Sequence, residues 1–427
     1  MREYNILVFP CGTEIANEII NSLENHKYFK TIFASSEGMS FCNFRNKKIN
    51  ILPFVTDINF VSVLNTLIET DKIDFIIPAH DDVAYELSFY EDKLKCKVIG
   101  QSININKIVR FKDKTYDYFK NILPIAKIFN DKPSKNEFPV FVKPIKGQGA
   151  LNAVTLNNEE QFISFFKQHL IEEFVIMEEL TGKEFTIDCF SNEGKVLYSG
   201  ARTRDKMTRG IAVLSSFVND KVLNDEFNKF AKIISTTMKM HGIWFFQMKY
   251  DKQHELKLLE VGPRVPGSMM LNRARGVNFI ELSIYQSLGF NVDIIYNNID
   301  ISLARALVPK YKHNIKFNKL YIDFDDTLFL EENKINTNLM KLIFDAKNDM
   351  KKVVLITKNK KNNLTKVLHY FGLLYIFDDI IHISEHDMKI NYMEKKSLLV
   401  DDSYIERKNA INNGHYAIGI DLVDIIY

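Results

Sequence analysis

The amino-acid order predicts a multidomain protein of mixed α/β and α+β class, and three observations lead there. Apolar strand-like runs alternate with helical periodicity over roughly the first hundred residues, as in a parallel sheet with crossover helices. Strands and helices then mix without strict alternation from Phe138 to about Val308. Strict β-α alternation returns after Lys319 and lasts to the end of the chain. A length of 427 residues accommodates roughly two to four domains with large cores.

The elements follow in order. Ile6–Phe9 reads as a strand, Thr13–Leu23 as a helix, and Thr31–Ala34 and Asp74–Pro78 as further strands, the last ending at Ala79-His80-Asp81-Asp82. A helical segment holds Lys112-Asp113-Lys114, and Asp131–Pro139, with its prolines and lysines, reads as a connector. Lys310–Lys319 is polar and basic and marks the next boundary. Strands are then expected at Tyr321, Lys352–Thr357, Ile380–Ile383, Leu398–Val400 and Tyr416–Ile420. No internal repeat or low-complexity tract interrupts the chain.

Composition excludes several classes. A net charge of +2 gives no global attraction to nucleic acid or an anionic membrane. The basic run Lys358–Lys361, followed by Asn362 and Asn363, reads as a solvated loop or helix start. The cysteines, Cys11, Cys42, Cys96 and Cys189, lack CxxC spacing and a disulfide framework, as free thiols in a reducing compartment do. The apolar run from Ile6 to Phe9 is too short for a signal peptide, and no run is long enough to span a bilayer. A cytoplasmic protein is expected.

Three segments of the middle region carry chemistry. In the first, Phe138–Val142 leads to Lys143-Pro144-Ile145-Lys146-Gly147-Gln148-Gly149-Ala150, a strand ending at a lysine and a loop with two glycines. Glycines let backbone N–H groups approach phosphate oxygens, and the lysine adds a point charge; a plain basic hairpin is the alternative. In the second, Phe174–Met177 runs into Glu178-Glu179-Leu180, a turn at Gly182 and a new strand opened by Glu184. Such carboxylates accept hydrogen bonds from ribose hydroxyls or an amino group, or are simply solvated charges. In the third, Phe246-Gln247-Met248 and Lys257–Glu260 read as adjacent strands that set Gln247 beside Glu260 as oxygen ligands for Mg²⁺, with Arg264 placed for a phosphate. Between the second and third, Gly200–Gly210 carries Arg202, Arg204, Lys206 and Arg209 as contacts for an anionic group, or as a solvated strand-loop-strand.

In this order the segments resemble the ATP-grasp superfamily, particularly its short carbamoyl-phosphate-synthase-like ligases, over roughly residues 1 to 310. The resemblance implies a Rossmann-like pre-ATP-grasp domain (1–105) and an ATP-grasp domain (106–312). It implies that Lys143 and Lys114 contact ATP phosphates, that the Gly147–Gly149 loop closes over them, and that Glu178 and the Glu179–Leu180 backbone meet adenine. Glu184 would meet the ribose, with Arg202 and Arg209 grouped among the nucleotide and anion contacts. Gln247 and Glu260 match metal positions, and Arg264 matches the arginine that steadies the transferred phosphate. The family pattern Glu-x-Asn-Pro-Arg is broken by Gly262, which removes a ligand of the second metal.

The C-terminal region opens with Leu320-Tyr321-Ile322-Asp323-Phe324-Asp325-Asp326-Thr327, a strand delivering two alternating carboxylates and a hydroxyl. Thr357 ends a second apolar strand, Lys389 follows, and Ser397–Val400 ends in Asp401-Asp402-Ser403. At the carboxyl ends of parallel strands these converge on one edge of a sheet. Asp323 could attack phosphorus and Asp325 exchange a proton; Asp323, Asp401 and the Asp325 carbonyl could hold Mg²⁺, with Thr357 and Lys389 orienting oxygens. The constellation resembles the haloacid-dehalogenase-like phosphatases, and Asp401–Arg407 looks like their capless subgroup, which implies a domain over 319–427. The short stretch between Thr327 and Thr357 leaves little room for a cap, so the substrate would be large or covered by the neighbouring domain.

The two resemblances imply a bifunctional enzyme. An ATP-dependent carboxylate–amine ligase would act through an acyl phosphate, and a Mg²⁺-dependent phosphatase would hydrolyse a phosphomonoester. ATP and Mg²⁺ (or Mn²⁺) are the implied cofactors; a small carboxylate, an amine and a phosphorylated metabolite are the partners, with no nucleic acid or membrane. A carboxylate kinase and an ATP-binding regulatory scaffold are the alternatives. The apolar stretch Phe279–Leu288 reads either as a buried helix or as a homodimer face.

Overall fold

The computed structural model describes residues 2–426 except 46, 148, 150, 209 and 360–362. The chain forms two compact units, Met1–Leu307 and Val308–Tyr427. Among the described residues no helix is long and apolar enough to cross a membrane.

The first unit begins with a parallel sheet in the order Ile49–Ile51, Phe29–Ser35, Tyr4–Phe9, Ile73–Pro78, Lys97–Val98. The central strand is apolar and buried from Ile6 to Phe9, where both its faces are covered. Ile6 and Val8 pack with helices Glu14–Ser22 and Phe279–Ser287, while Leu7 and Phe9 pack with helix Phe60–Thr70. Helix Phe279–Ser287 buries Phe279, Ile280 and Ile284 in that first cluster, so its apolar face lies inside the unit. Thr13 caps the helix that follows the first strand by accepting the Ala16 N–H at 3.0 Å.

Two antiparallel sheets build the rest of the first unit's cleft. One has the order Ile128–Phe129, Phe174–Glu178, Val140–Pro144, Val154–Leu156. The other has the order Lys195–Thr203, Glu184–Asn192, Gly242–Tyr250, Leu256–Gly262. Alternation along its strands sends Ile187, Trp244 and Phe246 into a core with Phe227, Ala231 and Ile234 of helix Lys221–Met238. The opposite face carries Thr186, Arg202 and Gln247, while Phe190 and Ile243 on that same face join the core of the parallel sheet. A smaller sheet of Lys206–Thr208, Ile211–Ser216 and Ser302–Ala304 completes the unit.

From Arg305 to Phe317 the chain forms neither helix nor strand. The second unit is a parallel sheet in the order Asp379–His382, Lys352–Thr357, Lys319–Ile322, Ser397–Val400, Tyr416–Ile418. The last strand ends two residues before the expected Ile420, where a 3₁₀ turn, Ile420–Ile425, takes over. Ile322 lies opposite both Leu355 and Val400, so Asp323, Thr357 and Asp401 emerge at the same edge.

Candidate active sites

The register of the second antiparallel sheet aligns Arg202, Thr186, Gln247 and Glu260 across four strands. Residues so aligned project to one face, here the floor of a cavity of about 310 Å³. Gln247 and Glu260 therefore stand side by side on the floor, a pair of oxygen donors suited to Mg²⁺. The first antiparallel sheet contributes Phe141, Lys143, Met177 and Glu178 to the same cavity.

Lys143 sits at the centre. Its ammonium donates to the Tyr116 hydroxyl at 2.6 Å and to the Leu259 carbonyl at 3.2 Å. Burial lowers its pKa to about 8, with Glu260 and Glu184 resisting the shift. The second lysine on the cavity is Lys112 rather than Lys114. Lys114 is exposed and lies over the Phe111 ring at 4.5 Å, whereas Lys112 lines the cavity and donates to the Gly147 carbonyl at 3.1 Å. Helical geometry explains this correction: Tyr116 and Phe119 are buried, and Lys112 precedes them by one and two turns on that face. Burial lowers the Lys112 ammonium as well, against the pull of Glu260.

Gly147 and Gly149 line the cavity, Gly149 at φ 62°, a conformation that favours glycine. The loop is tied down from a side that the motifs did not indicate. Asp82 accepts from Arg110 at 2.8 and 3.0 Å and pairs with Lys146 at 3.0 Å. Gln148, Ala150 and Arg209 lie outside the described residues, as do Lys360, Lys361 and Asn362 of the basic run.

Three carboxylates of the cavity are already engaged. Glu178 accepts the Lys127 N–H at 2.8 Å, Glu179 accepts the Thr155 hydroxyl at 2.8 Å, and Glu184 pairs with Arg204 at 2.7 Å. Leu180 lies beside them on the wall. Arg264 also lines the cavity and is held by Asp81 through bonds of 2.5 and 2.9 Å. Burial opposes the charge on each partner, yet their attraction prevails, raising the arginine and lowering the aspartate. Asp81 was legible only as part of a polar strand end. Its partner lies 183 positions away in sequence.

Gly262 has a packing reason. A Cβ built there runs into the Phe245 ring, which also carries the Arg264 guanidinium at 5.6 Å. The phenyl ring fills the volume an asparagine side chain needs.

In the second unit, Lys389 is buried between two carboxylates, 2.5 Å from Asp323 and 2.6 Å from Asp401. Carboxylate oxygens of Asp323, Asp401 and Asp402 lie within 4.8 Å of one another, a spacing suited to a divalent cation. Asp402 thus joins the cluster, while the Asp325 carboxylate is held elsewhere by the Asn359 amide at 3.0 and 3.1 Å. Thr357 contributes by accepting the Asn359 N–H at 3.0 Å. Asn359 had no sequence signal beyond following a strand end. Thr327 donates to Asp402 at 3.2 Å and accepts the Asp402 N–H at 3.0 Å. Burial raises the Asp323 carboxyl to about 7, opposed by Lys389 and reinforced by Asp401.

Two predictions follow from this packing. Gly262→Asn should destabilise the protein by about 1–3 kcal/mol through overpacking, read as a lower denaturation midpoint, and Phe245→Ala in the same chain should recover part of the loss. Asp323 favours the folded state while protonated, so its contribution is present at low pH and fades as pH rises through about 7. In chelator, the Tm of Asp323→Asn relative to the parent should therefore climb between about pH 4 and about pH 7. An unchanged gap would contradict the burial described for this carboxyl.

Residues 171–306 match a family described as ATP-grasp in the biosynthetic pathway with Ter operon. The tyramine–L-glutamate ligase of Methanocaldococcus fervens is 23% identical over 258 residues, 60% of this chain and 79% of that protein. Among solved structures, the biotin carboxylase domain of Hydrogenobacter thermophilus 2-oxoglutarate carboxylase superposes with a TM-score of 0.58 at 12% identity, covering 70% of this chain and 72% of that one. N5-carboxyaminoimidazole synthetase from Staphylococcus aureus gives a TM-score of 0.56 at 15% identity, over 70% and 80%. The L-amino acid ligase of Bacillus licheniformis gives 0.54 at 18% identity, over 67% and 75%. With its parallel N-terminal sheet and its cavity between two antiparallel sheets, the first unit has the ATP-grasp fold.

Proposed function

We propose that the chain is a bifunctional enzyme divided into a pre-ATP-grasp domain (1–105), an ATP-grasp ligase domain (106–312) and a phosphatase domain (319–427). The ligase would join a small carboxylate to an amine at the expense of ATP. The observation that carries this reading is the convergence of Lys143, Lys112, Gln247, Glu260 and Arg264 on one cavity. Lys143 and Lys112 would hold the phosphates, and Gln247 and Glu260 would hold Mg²⁺, which supplies charge neutralisation when bound. A carboxylate oxygen attacks the terminal phosphorus, ADP leaves, and Arg264 offsets charge on the transferred group. The amine then attacks the acyl carbon and phosphate departs. The tyramine–glutamate ligase relative supports an amino acid as the acid component and an aromatic amine as the nucleophile.

The second unit would hydrolyse a phosphomonoester. Asp323 attacks phosphorus, Asp325, which the Asn359 amide holds outside the acidic cluster, would pass a proton to the leaving alcohol, and water, returning a proton to Asp325, then cleaves the aspartyl phosphate. Lys389 between Asp323 and Asp401 supports this reading, because it places positive charge where a phosphoryl group must arrive. Asp323, Asp401 and Asp402 would hold Mg²⁺, and Thr357 would orient the group through Asn359.

A second reading has its own observation. Phe245 and Gly262 deny the first unit a side-chain ligand for a second metal, which favours an ATP-binding scaffold, and a carboxylate kinase without ligation is a separate enzymatic alternative. The full chain with ATP, Mg²⁺, L-glutamate, tyramine and a panel of other amino acids and amines separates them. Ligation predicts ADP together with a condensed product by mass, kinase action predicts ADP without it, and a scaffold gives neither. Lys143→Ala should lower ADP release by about 100-fold and leave hydrolysis of p-nitrophenyl phosphate intact. Asp323→Asn should do the reverse; surviving hydrolysis in that variant would remove the phosphatase assignment. Because Lys143 loses its proton near pH 8 in the free protein, ATP affinity should weaken above about pH 8, and Lys143→Arg should flatten that dependence.

A further inference from the structure

Arg202 is one of the most buried cations of the chain, 2% exposed, and it pairs with Asp188, which is fully buried. Nε donates at 2.9 Å and Nη2 at 3.2 Å to that carboxylate. Asp188 is fixed in turn by the Asn272 amide at 2.7 Å, and Asn272 by the Tyr198 hydroxyl at 2.8 Å. Yet Nη1 of Arg202 has no hydrogen-bond partner among the described residues, although the side chain lines the ATP-grasp cavity. A buried donor left unpaired is costly, and a guanidinium clamped along one edge presents its other edge in a fixed direction. Nη1 is thus shielded from solvent as well as unpaired, in a residue that lines the cavity.

The sheet register sets its distance from the chemistry. Arg202 lies two strands from Gln247 and three from Glu260 on the same cross-strand row. At roughly 5 Å per strand, the backbones of Arg202 and Gln247 are about 10 Å apart, and side chains close part of that gap from both ends. A molecule whose reacting carboxylate sits at the Gln247–Glu260 pair can reach Arg202 only with a second anionic group a few carbons away.

We infer that the Arg202 Nη1 edge binds a second carboxylate of the acid substrate, so that the ligase acts on dianionic acids and discriminates against monoacids of equal length. Asp188, Asn272 and Tyr198 are positioning residues for that subsite. The inference rests on the ligase reading above and specifies its acid component.

The test compares α,ω-diacids of four to six carbons and L-glutamate with monoacids of the same lengths, using ATP, Mg²⁺ and hydroxylamine as the trapping amine. The double variant Arg202→Gln/Asp188→Asn keeps a neutral hydrogen-bonding pair, so no buried carboxylate is stranded. The parent should favour the best diacid over its monoacid by roughly tenfold or more in kcat/KM, and the variant should bring the two near parity by raising KM for the diacid. Equal use of both classes by the parent, or an unchanged preference in the variant, overturns the inference and leaves the ligase reading standing. If no acid supports ADP release, the ligase reading fails, and binding decides the subsite. With a non-hydrolysable ATP analogue present, a Tm increase from glutarate but not pentanoate, lost in the variant, sustains it; no such increase overturns it.

Discussion

The register of one four-stranded antiparallel sheet governs the first unit. Opposing Gln247 to Glu260 and Thr186 to Arg202 lays a row of polar groups on the cavity face, while Ile187, Trp244 and Phe246 go to the core. A slip by one residue would exchange the two faces and bury the polar row. Helix Lys221–Met238 prevents that slip by filling the apolar face with Phe227, Ala231 and Ile234. The site's geometry is therefore a consequence of core packing on the other side of the sheet.

Both units meet the same electrostatic difficulty, that a site for phosphate and a cation must keep charges out of water. In the first unit Arg264 is balanced by Asp81, Arg204 by Glu184, and Arg202 by Asp188. In the second, Lys389 serves two acidic partners at once. Buried charges of this kind persist only when paired and hydrogen-bonded, and removing one partner strands the other. The pairs therefore hold cationic side chains at fixed positions around each site. Lys143 differs, since its contacts are a hydroxyl and a carbonyl and burial draws its pKa down.

Local pattern made much of the architecture readable. The alternation of apolar runs and helical periods at each end of the chain corresponds to the two five-stranded parallel sheets, and residues at strand ends could be read as converging on one edge. The Lys112/Lys114 exchange shows the limit of reading charge alone. Both residues are cationic, and only the helical phase of Tyr116 and Phe119 separates inward from outward. Asp325 and Asp402 show another limit: adjacent acidic residues look interchangeable until Asn359 is seen to hold one and Thr327 to contact the other.

By itself the sequence determined which residue types stand at the ends of which strands, because strand and helix periods are local properties of the chain. Tertiary structure alone decided the partners: Asp81 for Arg264, Asp188 and Asn272 around Arg202, and Phe245 in the space beside Gly262. These contacts join positions far apart in the chain or pack one strand against the next, and no local period records them. The reason the opening aspartates of the last sheet matter is of the same kind. Asp323 acquires its shifted proton affinity from burial beside Lys389 and Asp401, which the folding of three separate segments brings together.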